Sequence, residues 1–153
     1  MKTLQLGCGI RPMPDAVNHD RIKHSDWVDV AHDLDVLPWP FETESFDKII
    51  ALDVMEHLHL EVKEWLDECH RILKPGGSLV LRLPAFDNPV SWRDPTHRRV
   101  FHPETFDFWD KSRQLHKDYG FFYFAESDKW WGVDSVERTN GGDFGFVLRK
   151  QVD

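Results

Sequence analysis

The sequence is poor in cysteine, in long apolar runs and in positive charge, and each shortage excludes a class of protein. Its two cysteines, Cys8 and Cys69, lack the Cys-x-x-Cys spacing of zinc and redox sites, so we expect free thiols and no disulfide framework. No segment reaches the roughly 18 apolar residues of a membrane span, and "MKTLQLG" breaks at its first glycine. These absences predict a soluble, cytoplasmic protein with no membrane partner.

The charge balance is acidic. The chain has 19 Lys and Arg against 27 Asp and Glu, which gives a formal net charge of -8. Nucleic-acid binding depends on basic side chains that displace phosphate counterions, so the composition argues against such a partner, although Arg93, Arg98 and Arg99 form a local basic group. A length of 153 residues with 41% hydrophobic content suffices for one core, and we expect residues 1–153 to form a single domain.

Apolar periodicity predicts an α/β fold. Alternating or continuous apolar runs that end at glycine or acid indicate strands, and apolar residues at helical spacing indicate helices. The element expected at 60–73 is amphipathic and should end at "KPGG", where proline and glycine stop a helix. The pattern predicts strands at 3–6, 16–18, 27–31, 46–54 and 78–84, helices at 60–73 and about 103–117, and a terminal hairpin of 130–139 and 144–150 joined by "NGGD".

Two short motifs follow the first strands. Gly7 and Gly9 would let backbone amides approach a ligand, and the Asp20 carboxylate could accept both hydroxyls of a ribose. The alternative is a tight turn without a ligand. After the third strand, the Asp33 carboxylate and a neighbouring amide could recognise an adenine, or Asp33 could simply cap a turn.

The sequence resembles the class I S-adenosylmethionine-dependent methyltransferases over residues 4–84. The resemblance rests on "LGCG" with a later acid, on "HDLDVLPWPFETESFDKIIALDVMEHL" and on "ECHRILKPGGSLVLRLP", in that order. It implies a seven-stranded, mostly parallel Rossmann-like sheet with one antiparallel strand near an edge, and S-adenosylmethionine as cofactor. It also implies cofactor contacts: Leu6, Gly7, Cys8 and Gly9 at the methionine part, Asp20 at the ribose, Asp33 and Leu34 at the adenine, and Leu52 and Asp53 near the methyl group.

The spacing departs from that family. Ten residues separate Gly9 from Asp20 and twelve separate Asp20 from Asp33, too few for a crossover helix and a strand. We therefore expect the first two helices, helices A and B of the family, to be shortened or absent, and one sheet face to lack its helical cover. A homodimer through that face, or a lid of aromatic side chains, should cover it. The candidate aromatics are Trp27, Trp39, Trp130 and Trp131.

The methyl acceptor is expected beyond the fourth and fifth strands, as a small molecule or a flexible side chain. The segment 84–106 has no strand pattern and should form a binding loop, and its "DPTHRRVFHPETF" resembles a segment that borders the active site in some methyltransferases. His97 is the first candidate for the general base and His57 the second, with Asp94 as a further polar group beside Arg98, His102 and Glu104. Asp94 could equally be a turn cap.

Three further interpretations fit the same residues. "DVMEHL" resembles the Glu-x-x-Glu-His of small-RNA 2′-O-methyltransferases, in which a later histidine completes a metal site, so Asp53, Glu56, His57 and His97 could imitate that set. Because the first position is Asp and Glu-His is common in relatives without metal, no metal is expected. The second interpretation is a cofactor-binding module or accessory subunit without catalysis. The third is a metal-dependent hydrolase that uses His57, His59, His97 and His102.

Overall fold

A single seven-stranded sheet organises the chain. The computed structural model describes residues 1–153. Its strands are β1 (Thr3–Leu6), β2 (Ala16–Asp20), β3 (Val30–Ala31), β4 (Phe46–Leu52), β5 (Leu73–Leu83), β6 (Trp130–Arg138) and β7 (Phe144–Gln151), and its one long helix is α1 (Val62–Ile72). Short helical segments occur at Met55–His57, Pro89–Trp92, Thr105–Trp109, His116–Gly120 and Phe121–Tyr123.

The strand order confirms the expected fold class. The order is β3-β2-β1-β4-β5-β7-β6, in which the first five strands pair in parallel and β7 runs antiparallel to both of its neighbours. No helix connects β1 to β2 or β2 to β3, as the short spacing predicted. Because parallel strands place their carboxyl ends on one edge, the turns after β1, β2, β3 and β4 meet there.

One face of the sheet carries the core. Alternate residues of the central strands are fully buried, and they join α1 in a cluster of 27 buried residues. The helix begins with a capping box between Glu61 and Glu64, and it buries Trp65, Leu66 and Ile72 against the sheet. Each such side chain contributes roughly 1.5–3 kcal/mol of burial energy, so this face holds the strand ends in place.

The opposite face of the sheet is only partly covered. The row of paired residues Gln5, Ile50, Val80 and Val147 crosses its centre, and the last three of these are intermediate in exposure. Four aromatics are expected to form a lid. Trp39 and Trp131 belong to the main core cluster, and Trp130 packs against His116. Trp27 contacts the backbone carbonyl of Gly9 in the turn after β1. The homodimer through this face stays a prediction.

Three predicted elements differ from the structure. The third strand is shorter than expected, because only Val30–Ala31 pairs with β2. The helix α1 ends at Ile72, within one residue of the predicted end, but the next strand starts earlier than the predicted residue 78. β5 begins at Leu73 and includes "KPGG" as an irregularity where its register with β4 shifts. The expected helix at 103–117 is broken, because Asp110 Oδ1 accepts from the Ser112 amide and Asp110 Oδ2 accepts from the Val133 amide.

The structure has no helix suited to crossing a membrane and no disulfide bond. No helix of the chain combines the length and the apolar character that a bilayer crossing requires. Cys8 and Cys69 are both buried and both free of disulfide bonds.

Candidate active site

A cavity of about 650 Å³ lies at the carboxyl edge of the sheet. Six of the nine residues predicted to contact the cofactor line it: Gly7, Gly9, Asp20, Asp33, Leu34 and Asp53. The other three do not. Leu6 and Cys8 are buried, and Leu52, with 38% of its surface exposed, is not part of the cavity lining. Contacts of these three residues with the cofactor stay a prediction.

The turn after β1 depends on two glycines for different reasons. Gly7 has a φ of 62°, and a Cβ placed there would lie 2.5 Å from Val54 Cγ2, so the chain packs too closely for any side chain. Gly9 also has a positive φ, 52°, but a Cβ there would meet no atom within 4 Å. The open side of Gly9 is thus space that a ligand can enter.

Asp20 fastens this turn and faces the cavity. Its Oδ2 accepts from the Gly9 amide at 2.7 Å, and its Oδ1 accepts from the Arg21 amide at 2.7 Å. Burial raises the pKa of Asp20, but the two amide hydrogen bonds together with the neighbouring His24 outweigh it and leave the pKa below its ordinary value. Oδ2 also lies 3.4 Å from His24 Nε2, whereas Oδ1 keeps a lone pair without a partner, so an ionised Asp20 can still accept from a ribose hydroxyl.

Two aromatic side chains that the sequence analysis did not assign to the site support the same turn. His19 Nδ1 accepts from the Gly7 amide at 3.4 Å, while His19 Nε2 lies 2.8 Å from the carbonyl oxygen of His32. Burial lowers the pKa of His19, which keeps the ring neutral and suited to both bonds. Trp27 Nε1 donates to the Gly9 carbonyl at 3.1 Å. Neither role has a sequence signal, because both depend on contacts between separate turns.

The turn after β3 presents a carboxylate and an amide side by side. Asp33 Oδ1 accepts from the Asp35 amide at 2.9 Å, and Asp33 Oδ2 lies 3.8 Å from Arg21 Nε. The Leu34 carbonyl accepts from Trp39 Nε1 at 2.9 Å, whereas the Leu34 amide has no acceptor within the protein. An acceptor beside a free donor matches the exocyclic amine and ring nitrogen of an adenine.

These features fit an adenosyl cofactor. The cavity volume lies within the range of about 300–1,000 Å³ that small-ligand sites occupy. The open side of Gly9, the spare lone pair of Asp20 and the free amide of Leu34 occur in the order that a methionine, a ribose and an adenine would require.

A second cavity of about 380 Å³ adjoins the first. Both cavities share Asp53 and His57. Asp53 has a φ of 59°, and Arg82 Nε donates to its two oxygens at 2.9 and 3.1 Å, so its carboxylate is held by the end of β5. Residues from the predicted binding loop, among them Asp94 and His97, line this second cavity, while Pro95, Thr96 and Arg98 of the same loop line the first.

The second cavity brings the three predicted catalytic residues together around Glu56. Glu56 is 1% exposed, its Oε2 has no hydrogen-bond partner, and burial raises its pKa to about 8. Glu56 Oε1 lies 3.8 Å from His57 Nε2 and 3.9 Å from His97 Nε2. Asp94 Oδ2 lies 3.6 Å from the same His97 nitrogen.

Both histidine rings are held through their other nitrogen. His97 Nδ1 lies 2.7 Å from the Ser91 carbonyl oxygen, which can only accept. Thr96 Oγ1 donates to Asp94 Oδ1 at 2.7 Å and lies 2.8 Å from His57 Nδ1, so this hydroxyl accepts from His57. In the neutral form, each ring therefore directs the lone pair of its Nε2 towards Glu56.

The remaining polar candidates lie outside this cluster. Arg98 Nη2 is 2.6 Å from His59 Nε2, and its side chain borders the first cavity. His102 packs on Phe86 and lies 3.8 Å from Glu104, away from His57 and His97. A site that joins His57, His59, His97 and His102 is therefore not formed.

Comparison with known proteins agrees with this architecture. A family model described as a methyltransferase domain matches residues 4–81. The chain belongs to this methyltransferase family. The match includes β1 to β4, the helix α1 and most of β5, and it ends before the binding loop. The resemblance to class I S-adenosylmethionine-dependent methyltransferases is thereby confirmed, and S-adenosylmethionine is the cofactor of this family.

Solved structures of methyltransferases share the fold of the family at low sequence identity. The YcgJ protein of Bacillus subtilis has a TM-score of 0.59 at 14% identity, covering 99% of this chain and 92% of that one. An S-adenosylmethionine-dependent methyltransferase of Mesorhizobium loti has a TM-score of 0.61 at 12% identity, with 97% and 90% covered. Phosphoethanolamine N-methyltransferase 1 of Haemonchus contortus, in complex with phosphoethanolamine and S-adenosylhomocysteine, has a TM-score of 0.67 at 12% identity, with 99% and 39% covered. No curated protein sequence matches this chain.

Proposed function

We propose that the protein transfers the methyl group of S-adenosylmethionine to a small-molecule acceptor. The observation that carries the proposal is the meeting of two cavities at Asp53 and His57. The larger cavity has the donors and acceptors for an adenosyl group, and the smaller one holds the histidines and carboxylates that can receive an acceptor. A transferable methyl group belongs at their junction.

The cofactor supplies an activated methyl group on a positively charged sulfur. The chain has two tasks in such a reaction, which are to align the acceptor with that methyl group and to remove a proton where the acceptor carries one. Asp20 and the glycine turn would fix the cofactor, and Asp53 would border the methyl group. His97 is the proposed general base, because its Nε2 carries a lone pair and lies in the acceptor cavity.

His57 and Asp94 have supporting places in this proposal. His57 borders both cavities and is the second candidate for the base. Asp94 Oδ2 lies 3.6 Å from His97 Nε2, and Asp94 reaches His57 only through the Thr96 hydroxyl, so we propose it as a positioning residue for both rings.

The acceptor cavity favours a small and uncharged or cationic molecule. Its volume of about 380 Å³ has room for a small molecule or one side chain. Four carboxyl groups line it, those of Asp53, Glu56, Asp94 and Asp143, against the single guanidinium of Arg93. A phosphate backbone would meet unfavourable charge here, which supports the expectation of no nucleic-acid substrate. The free thiols of Cys8 and Cys69 support a cytoplasmic location.

Calorimetry and a transfer assay test this function together. S-adenosylmethionine and S-adenosylhomocysteine should both bind the wild-type protein, and the methyl-labelled cofactor should label a small acceptor from a panel of amines and phenols. The variant His97→Ala should bind the cofactor as the wild type does and should lose transfer. Binding with no transfer to any acceptor, in both proteins alike, would favour the module without catalysis, and no binding at all would refute the proposal.

A further inference from the structure

Glu56, His57 and His97 form a cluster whose hydrogen bonding is incomplete within the protein. One ligand atom from each, a carboxylate oxygen or a ring nitrogen, lies within 4.8 Å of the other two. Glu56 is almost fully buried and its Oε2 has no hydrogen-bond partner. Burying a carboxylate oxygen without a partner is costly, so such a group calls for an explanation.

The hydrogen bonds of the two rings determine which ring nitrogens carry a proton. The Ser91 carbonyl fixes a proton on His97 Nδ1, and the Thr96 hydroxyl fixes one on His57 Nδ1. Both Nε2 atoms are then bare, and each faces Glu56 Oε1 at 3.8 or 3.9 Å. His97 Nε2 also lies 3.6 Å from Asp94 Oδ2. Lone pairs on nitrogen and oxygen repel one another at these distances unless a proton or a metal ion lies between them. A single proton on Glu56 can serve only one of the two ring nitrogens, whereas one metal ion can bind both.

We infer that this species is a divalent transition-metal ion, with Zn²⁺ as the first candidate, bound by Glu56, His57 Nε2 and His97 Nε2. Two imidazoles and one carboxylate form a donor set that suits Zn²⁺ and its first-row neighbours better than Mg²⁺ or Ca²⁺. Histidine ligands usually donate their other ring N–H to a carbonyl, hydroxyl or carboxylate, and both rings do so here.

The geometry permits the site with a small contraction. Metal–ligand distances of about 2.0–2.2 Å place tetrahedral ligand atoms about 3.3–3.6 Å apart. The two separations from Glu56 Oε1, 3.8 and 3.9 Å, exceed that by up to about half an ångström, and the ligand atoms of the two rings lie within 4.8 Å of each other. Side-chain rotation would have to close both gaps. Because all three residues line the acceptor cavity, at least one coordination position would face the cavity and remain available to water or to an acceptor oxygen.

A second possible cluster is less suited to a metal. Cys8, Asp20 and His24 also place ligand atoms within 4.8 Å of one another. However, both oxygens of Asp20 already accept backbone amides, and these amides form the glycine turn. No comparable hydrogen bond occupies Glu56 Oε2, so the metal is assigned to the Glu56 cluster.

His57 and His97 would have a different role with a metal bound than the role of general base proposed above. With a metal bound, both Nε2 atoms are ligands, so an acceptor oxygen would be activated by coordination instead of by His97. The proposed metal site replaces the sequence-based expectation that no metal binds. It does not require methyl transfer, because metal binding can be measured on the isolated protein.

Zn²⁺ titration of the protein without an affinity tag tests the assignment. After chelator treatment and desalting, the wild-type protein should bind one equivalent of Zn²⁺ by calorimetry and should melt at a higher temperature with the ion. The variants Glu56→Gln and His97→Asn should each weaken binding by about 100-fold or more, while remaining folded by circular dichroism. The controls His24→Asn and His102→Asn should bind as the wild type does.

Three results would overturn the assignment: no binding by the wild type, unchanged binding in both Glu56→Gln and His97→Asn, or a loss confined to His24→Asn, which would move the ion to the other cluster. Loss of folding in one of the two ligand variants leaves the other to decide. Titration with S-adenosylhomocysteine in the same preparations separates the two proposals, because Zn²⁺ binding without cofactor binding would uphold this inference and refute the proposed function.

Discussion

The two halves of the site differ in how their polar groups are paired. On the cofactor side, the carboxylates of Asp20, Asp33 and Asp53 each accept hydrogen bonds from backbone amides or from a guanidinium. On the acceptor side, Glu56 has an oxygen without a partner, and the histidines present bare nitrogens to it. The first half is organised before any ligand binds, whereas the second is completed only by a bound species.

The difference follows from where each half lies in the chain. The cofactor side is formed by turns directly after parallel strands, so the sheet fixes each turn and backbone amides are at hand. The acceptor side joins the short helix Met55–His57 to the loop Pro89–Trp92 and its continuation, which no strand holds. Side chains must therefore provide most of its order.

Substitutions in the turn Gly7–Gly9 should have the largest effect among the variants that test the difference between the two halves of the site. In Gly7→Ala, the added Cβ would overlap Val54 and the residue would keep a positive φ, so we expect a loss of about 2–4 kcal/mol in the free energy of unfolding. In Gly9→Ala, the Cβ meets no atom, and only the backbone strain of about 1 kcal/mol remains. Urea unfolding of both variants measures the difference.

The same two variants separate packing from ligand binding. Gly9→Ala fills space that the cofactor should occupy, so it should weaken S-adenosylhomocysteine binding more than its small stability loss would suggest. The double variant Gly7→Ala/Val54→Ala removes the overlap and should recover part of the stability. Equal stability of Gly7→Ala and Gly9→Ala would show that the turn is not packed as described.

Substitutions of Asp20 should have the next largest effect, which is a loss of S-adenosylhomocysteine affinity on the cofactor side alone. Asp20→Ala removes charge-assisted hydrogen bonds to the ribose and should weaken S-adenosylhomocysteine binding by about 1.5–3 kcal/mol, measured by calorimetry. Asp20→Asn keeps one acceptor oxygen and should lie between the alanine variant and the wild type. An alanine variant with wild-type affinity would remove the ribose assignment, and Zn²⁺ binding should change in neither variant.

The pH dependence of this contribution has a definite sign. Because the folded pKa of Asp20 lies below its usual value of about 3.9, the carboxylate contributes its full stabilisation above that value. The contribution is lost as the pH falls through the lower folded pKa. His24 Nε2 lies 3.4 Å from Asp20 Oδ2 and is charged only when protonated, so the comparison is made in a His24→Asn background. In that background, the stability difference that Asp20→Asn causes should stay constant from about pH 5 to pH 8 and shrink only in more acidic solution.

Much of the cofactor side could be predicted from the sequence, because strand periodicity fixes where each turn falls. The turn at Gly7 and Gly9, the acid Asp20 and the pair Asp33 and Leu34 all line the cavity as expected. The missed contributions of His19 and Trp27 arise from contacts between different turns, which periodicity does not encode.

The acceptor side was less predictable for a physical reason. The sequence pointed to His57, Asp94 and His97 but not to the burial of Glu56 between the two rings, because the loop that closes over it has no periodic pattern. The broken helix at 103–117 has a similar origin. Its apolar spacing is helical, but one long-range bond from Asp110 to the Val133 amide outweighs the local preference.

A substitution at Thr96 should have the smallest effect of these variants, and it should act on the acceptor side alone. Thr96→Val keeps the side-chain shape and removes the hydroxyl that holds His57 through its Nδ1. Since outer-shell partners of this kind typically account for 10- to 100-fold in metal affinity, we expect Zn²⁺ binding to weaken by about 10-fold. Although Thr96 borders the larger cavity, its hydroxyl is directed to Asp94 and His57, so S-adenosylhomocysteine affinity should stay within about twofold. Parallel titrations with Zn²⁺ and S-adenosylhomocysteine measure both, with Thr96→Ser, which retains the hydroxyl, as the matched control. A variant that lost both affinities equally would show that the two halves of the site are one coupled unit. The contrast between the cofactor side, which is organised before binding, and the acceptor side, which a bound species completes, would then be wrong.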